Sequence, residues 1–215
     1  MRLTLSVFFA AVLALPISAA HAKGPVTVDV EKSQGANVST FFSASMDITC
    51  PSGTDGSVFV VGFVQGSESL TKDTGSPRTF TDGIFLEIDE YVNSCTGAFA
   101  FGFGGVSNGF LPPGPRLNFS KLFGSGTFQD FNSGLTYPFS LNLNIEGQGP
   151  ISATKDSTVS RGSGPIIVTV SRSASATRSG GVTGTLSIDG IELNATFSST
   201  SLSSNAASTI TVQKN

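Results

Sequence analysis

Apolar residues recur at every second position through most of this chain, the pattern of strands with one buried face. Between Val38 and Cys50 the even positions Phe42, Ala44, Met46 and Ile48 carry the apolar side. Residues 58–64 are apolar on both sides, which predicts a strand covered on each face. Ile84, Leu86 and Ile88 point one way, and Phe85, Glu87, Asp89 and Tyr91 the other. After Cys95 the bulk lies at Phe99, Phe101 and Phe103, against Ala98, Ala100, Gly102 and Gly104. So little volume on one side predicts close approach of a second layer or another chain. The cleanest stripe is Tyr137, Phe139, Leu141, Leu143 and Ile145, opposed by Ser140, Asn142, Asn144 and Glu146. Ile166, Val168 and Val170 continue the alternation.

Between these runs the chain reads as connections. Residues 25–30 form a short strand with Val26, Val28 and Val30 alternating, followed by a polar link at 31–37. Residues 65–82 read as a surface loop, and 198–205 as a serine-rich turn before a last strand carrying Ile210 and Val212. Shorter strands are expected at 117–123 and 127–131. Asp189-Gly190 is a two-residue hairpin signal that pairs Ile188 with Ile191, Leu186 with Leu193, Gly184 with Ala195 and Val182 with Phe197. No run carries the 3.6-residue period of a helix. The expected fold is an antiparallel β-sandwich, or a barrel-like variant of one, with one disulfide. A single domain over 23–215 is expected, with a lobe boundary near 104–115, where Gly and Pro cluster.

The first residues change how the cysteines are read. Met1-Arg2-Leu3, an apolar stretch broken at Pro16, and Ala20-His21-Ala22 form a secretory leader over 1–22, too short for a membrane span. Export places Cys50 and Cys95 in an oxidising compartment, secreted or periplasmic, where an even pair forms a disulfide. Each cysteine is expected on the apolar face of its own strand.

Cleavage after Ala22 would also remove the chain's only histidine, His21. Ser-His-Asp and Cys-His machinery and His/Cys zinc sites are then excluded, and no catalytic residue or cofactor is assigned. A net charge of −3 gives no attraction to nucleic acid, and no integral membrane segment is expected in the mature chain. The acidic group Asp82, Glu87, Asp89 and Glu90 invites a functional reading. Glu87 and Asp89 would share a strand face, roughly 7 Å apart, a spacing used in glycoside hydrolysis and compatible with Ca²⁺ ligation. The plainer reading is a solvated face whose charges discourage edge pairing, with no metal bound. Lys155, Arg161, Arg172 and Arg178 form a basic strip that serves solubility or meets an anionic glycan or surface polymer. Asn37, Asn118 and Asn194 open glycosylation acceptor patterns, which carry nothing in a bacterial product, and the short leader points to one.

Tyr91-Val92-Asn93-Ser94-Cys95, Ser125-Gly126-Thr127-Phe128, Ser133-Gly134 and Gly147-Gln148-Gly149-Pro150 resemble a group of secreted bacterial all-β proteins for which no activity is known. A weaker resemblance is to chaperone–usher fimbrial subunits, which pair an early cysteine with one some forty residues on. Val26, Val28 and Val30 would imitate their donor strand, but Lys214 stands where they carry a penultimate tyrosine, and the chain is longer than their pilin domains. The functional expectation is a non-catalytic binding or surface-structural protein, its partner a glycan or a cell-surface protein. A fimbria-like subunit assembling by strand addition is the alternative, and a carboxylate-based glycosidase or calcium-dependent glycan binder the next.

Overall fold

The structure, a computed structural model, describes residues 26–162 and 167–214. The leader and the expected strand start at Pro165-Ile166 lie outside the described residues. The elements are β1 (Val26–Thr49), β2 (Asp55–Lys72), β3 (Thr79–Asn93), β4 (Ala98–Ser107), β5 (Phe110–Leu111), β6 (Phe119–Asp130), β7 (Thr136–Arg161), β8 (Ile167–Ile188), β9 (Ile191–Leu193) and β10 (Thr196–Lys214). No helix occurs among the described residues, and the fold is all-β and antiparallel.

The sheet runs β10-β1-β2-β3-β4-β6-β7-β8, and β10 pairs β8 as well, so the hydrogen-bonded circuit returns to its starting strand. This ring encloses one apolar cluster that includes Val38, Phe42, Leu86, Tyr91, Phe128, Leu143, Ile145, Ile188 and Leu202. Buried Phe110 and Leu117, in and beside the stretch expected to divide two lobes, belong to that same cluster. In the interior, Thr40 and Thr200 share a hydrogen bond of 2.8 Å between their hydroxyls.

Several connections expected from the sequence are strand instead. Residues 31–37 continue β1, 65–82 form the β2–β3 hairpin around a turn at 73–78, and 198–205 lie within β10. Tyr91 faces inward, not outward, and is fully buried. The cause is an irregularity at Asp89-Glu90: Val61 pairs Glu90 while Gly62 pairs Ile88, so one extra residue resets the alternation. The Asp189-Gly190 hairpin keeps its three innermost pairs, with both turn residues at positive φ (53° and 76°). It does not extend to the expected Gly184–Ala195 and Val182–Phe197 pairs: β9 ends at Leu193, and Phe197 pairs Phe42 of β1. The chain leaves β8 after Leu193, turns through Ser199 at φ 50°, and rejoins β8 at the Ser201–Ser179 pair.

The disulfide Cys50–Cys95 forms, with the Cα atoms 5.3 Å apart. Neither cysteine lies within a strand: Cys50 follows β1 and Cys95 sits in the β3–β4 turn. The bond therefore ties two turns at one end of the ring, over Gly56, where an added Cβ would come within 2.6 Å of both sulfurs. What comes close to the small residues of β4 is not a second layer but β6, its hydrogen-bonded neighbour in the same sheet. A Cβ on Gly104 would lie 2.2 Å from the Thr127 carbonyl oxygen, and one on Gly102 would lie 1.8 Å from that of Gln129. At the end of β6, Asp130 accepts hydrogen bonds from the Ser133 hydroxyl and from the N–H groups of Ser133 (2.9 Å), Phe101 (3.1 Å) and Asn132 (3.2 Å). Led by the Ser133 hydroxyl, these donors hold its carboxyl down at a pKa of about 2.

Candidate functional site: a concave sheet beyond the closed ring

Six strands outrun the ring. β7 from Ser152 pairs only with β8, and β3 from Thr79 to Asp82 pairs only with β2, among the described residues. At this level the sheet is the open series β7-β8-β10-β1-β2-β3, curled so that β7 and β2 both line one cavity. Past the Lys32–Lys72 pair, β2 ends and only β7, β8, β10 and β1 remain.

Alternation carries the inner face of the ring outward along each strand. From buried Val38 the same face of β1 presents Ala36, Gln34, Lys32, Val30, Val28 and Val26 in turn. Register places Glu68 and Asp82 beside Ala36, then Leu70 and Ala206 beside Gln34, then Lys72, Ser208 and Arg172 beside Lys32. The next row holds Val30, Ile210, Val170 and Val159, and the last Val28, Val212 and Val168. The opposite face of these outer rows is mostly polar, with Asp29, Glu31, Thr209, Thr211, Thr169 and Ser171, and ends in a row of Thr27, Gln213 and Ile167. Proceeding from the core, the concave side is thus acidic, then mixed (Leu70, Gln34, Ala206, Ala174 and Lys155), then basic, then mainly aliphatic with Arg161 at the border of the last row.

The basic row lines a cavity of about 750 Å³. Of its six charged lining residues, five are basic (Lys32, Lys72, Arg78, Lys155 and Arg172) and one, Asp156, is acidic. That balance is opposite to the chain's net charge of −3. Toward the core lies a smaller cavity of about 390 Å³, walled by Gly35, Ala36, Glu68, Ala176 and Ser204 among others. Small side chains keep both spaces open.

Below the basic row, Glu68 and Asp82 stand directly opposite each other on β2 and β3. Burial, and next the negative charge of Asp82, push the Glu68 carboxyl above its ordinary value of 4.5. Asp82 Oδ1 is buried without a hydrogen-bond partner. Because the native state holds the Glu68 proton more tightly than the unfolded chain does, this contribution is present below pH 4.5. It is lost as pH rises through the native value. Glu68→Gln is accordingly expected to raise the melting temperature at pH 7 and leave it unchanged at pH 4; thermal scans at the two pH values check this.

The acidic residues singled out from the sequence do not come together. Asp82 faces the concave side, Glu87 lies on the outer face in register with Phe63 and Phe103, and Asp89 sits at the irregularity in β3. No group of three or more His, Cys, Asp or Glu side chains among the described residues is arranged to hold a metal ion. The basic strip also divides. Lys155 and Arg172 line the cavity, and Arg161 sits in register with Val168 in the outermost row. Arg178 is structural: its Nε donates to the Gly149 carbonyl (3.0 Å) and its Nη1 to the Arg116 carbonyl (3.2 Å) and to Asn118 Oδ1. Lys32, Lys72 and Arg78 are not apparent as a group in the sequence, because Lys32 falls in the stretch 31–37 that reads as a polar link and Lys72 and Arg78 in the stretch 65–82 that reads as a loop. The signal was there: the even-numbered series Val26, Val28, Val30 runs on through Lys32 to Val38 without a break in phase.

The outer face of β1–β4 and its β6 border carries a different surface. Phe41 and Phe63 meet with tilted rings, centroids 5.0 Å apart, and Phe103 contacts Phe85 at 5.9 Å and Phe131 at 4.9 Å. No helix among the described residues is long and apolar enough to cross a membrane. No family model, curated protein or solved structure matches the chain.

Proposed function

We propose that the chain is an exported, non-catalytic binding protein that takes an anionic ligand on the concave side of its outer sheet. The observation that carries this reading is the cavity of about 750 Å³ lined by five basic residues and one acidic residue. Its size falls within the roughly 300–1,000 Å³ of small-molecule sites. The acidic pair Glu68 and Asp82 sets a floor that repels an anion, so the charged group of a ligand stops at the basic row. The disulfide is compatible with an oxidising compartment, and the leader-like first 22 residues agree with export.

Calorimetric titration with inositol hexakisphosphate at low ionic strength tests this reading. One-site binding that weakens with added salt is expected, as is its loss in the Lys72→Glu/Arg172→Glu double variant. Wild-type affinity in that variant, or hydrolysis of a glycan or peptide that a point mutation abolishes, would overturn it.

A second reading, assembly by strand addition, is favoured by the edge of β7 from Ser152 to Arg161, which no strand pairs among the described residues. The N-terminal strand is less suited to donation, since Val26–Ser39 already pairs with β10 of the same chain. Gly162 N–H donates to the Ile167 carbonyl, so alternate residues back to Thr158 face β8 and Ser157 presents its N–H to the free edge. Proline at Ser157 would block such assembly while leaving the monomer folded.

A further inference from the structure

Resting on the anion-binding reading, we infer that the ligand is a single-chain anionic amphiphile, with its head group at Lys72, Arg172 and their neighbours and its chain along the aliphatic rows beyond. Two independent features of the same concave face meet here. The first is the basic row already described. The second is the outermost sheet of β7, β8, β10 and β1, whose inner side carries Val30, Ile210, Val170 and Val159 and, farther out, Val28, Val212 and Val168 with Arg161 at the β7 border, while its outer side is mostly Ser, Thr, Asp and Glu. Such alternation is the pattern of a half-buried sheet, and among the described residues the face is open along its two border strands: Val28 is 48% and Val159 61% exposed, while Val30, Ile210, Val170, Val168 and Val212 between them are half-buried. An uncovered aliphatic face adjoining a cationic row is complementary to a molecule with a negative head and an apolar tail. The acidic floor fixes the orientation. The head cannot pass the basic row toward the core, so the tail lies outward over the valines.

The test is a chain-length series of n-alkyl carboxylates, from butanoate to dodecanoate below their micellar concentrations, with dodecyl maltoside as the neutral homologue. Affinity is expected to rise about fourfold for each methylene that finds cover on the face. Arg172→Glu should weaken dodecanoate binding by about tenfold or more. Val159→Asn and Val28→Asn, both at exposed positions whose replacement leaves the fold intact, should flatten the dependence on chain length. Anion binding with no chain-length dependence would overturn the amphiphile and leave the anion site standing. Equal binding of dodecyl maltoside, or no binding of either inositol hexakisphosphate or dodecanoate, would overturn both. A dimer in the absence of ligand that Val28→Asn converts to monomer would assign the face to a second copy, and dodecanoate-independent sedimentation with anionic vesicles would assign it to a membrane surface; either result overturns the inference.

Discussion

Gly102→Ala is expected to cost about 3 kcal/mol or more of folding stability, the largest effect of any single added methyl in the ring. The new Cβ would fall 1.8 Å from the Gln129 carbonyl oxygen and 2.9 Å from its carbon. These are backbone atoms, so neither can swing aside as a side-chain tip would. The obstruction sits where β4 and β6 share only the four pairs from Gly102–Asp130 to Gly105–Thr127, the shortest seam among the strands that close the circuit. Moving β6 away also disturbs Asp130, whose carboxylate accepts the N–H of Phe101 on β4. Overpacking of a well-filled interior costs about 1–3 kcal/mol and more where the backbone cannot relax. Urea denaturation of Gly102→Ala beside Gly114→Ala checks this, because a Cβ at Gly114 meets nothing within 4 Å. The second variant should remain within about 0.5 kcal/mol of the parent.

Removing the disulfide is expected to produce the other large effect. The bond closes a sequence separation of 45 residues, worth about 4 kcal/mol on the chain-entropy estimate. For a chain of this size each kcal/mol corresponds to roughly 2–4 °C, so reduction or a Cys50→Ser/Cys95→Ser pair should lower the melting temperature by about 8–16 °C. The bond joins the β1–β2 and β3–β4 turns at the end of the ring away from the outer sheet. Ligand affinity of the still-folded reduced protein should therefore be unchanged. Calorimetry with and without reductant reads both quantities.

How much of this was legible depended on contrast between the two faces of a strand. Where one face is bulky and the other polar, as at Tyr137 to Glu146, the alternation alone located the strand and the buried side. Where both faces are small or polar, as at Ser152–Arg161 of β7 or 201–208 of β10, a period of two exists in the backbone but not in the side chains. Those stretches therefore resemble turns. The outer sheet is built largely from such stretches, which is why the cavity was invisible although the aliphatic residues at its far end were noted. Tyr91 failed for another reason: a one-residue insertion in β3 leaves no mark in composition and inverts every inference downstream of it. Cys50 and Cys95 were paired correctly but placed on strands. Period-two patterns continue into the flanking turns, and only the hydrogen bonds between Cys50 N–H and the Thr54 carbonyl, and between Gly53 N–H and the Cys50 carbonyl, show where β1 has ended.

The measurement that bears most directly on the concave sheet as a ligand site is lysine footprinting. Reductive methylation is run with and without dodecanoate and read by peptide mass spectrometry. Lys72 and Lys155 line the basic cavity, whereas Lys121 lies 5.6 Å from the exposed ring of Phe123 on β6. Ligand should protect Lys72 and Lys155 and leave Lys121 as reactive as before; protection of Lys121 instead, or equal reactivity at all three, would contradict the account.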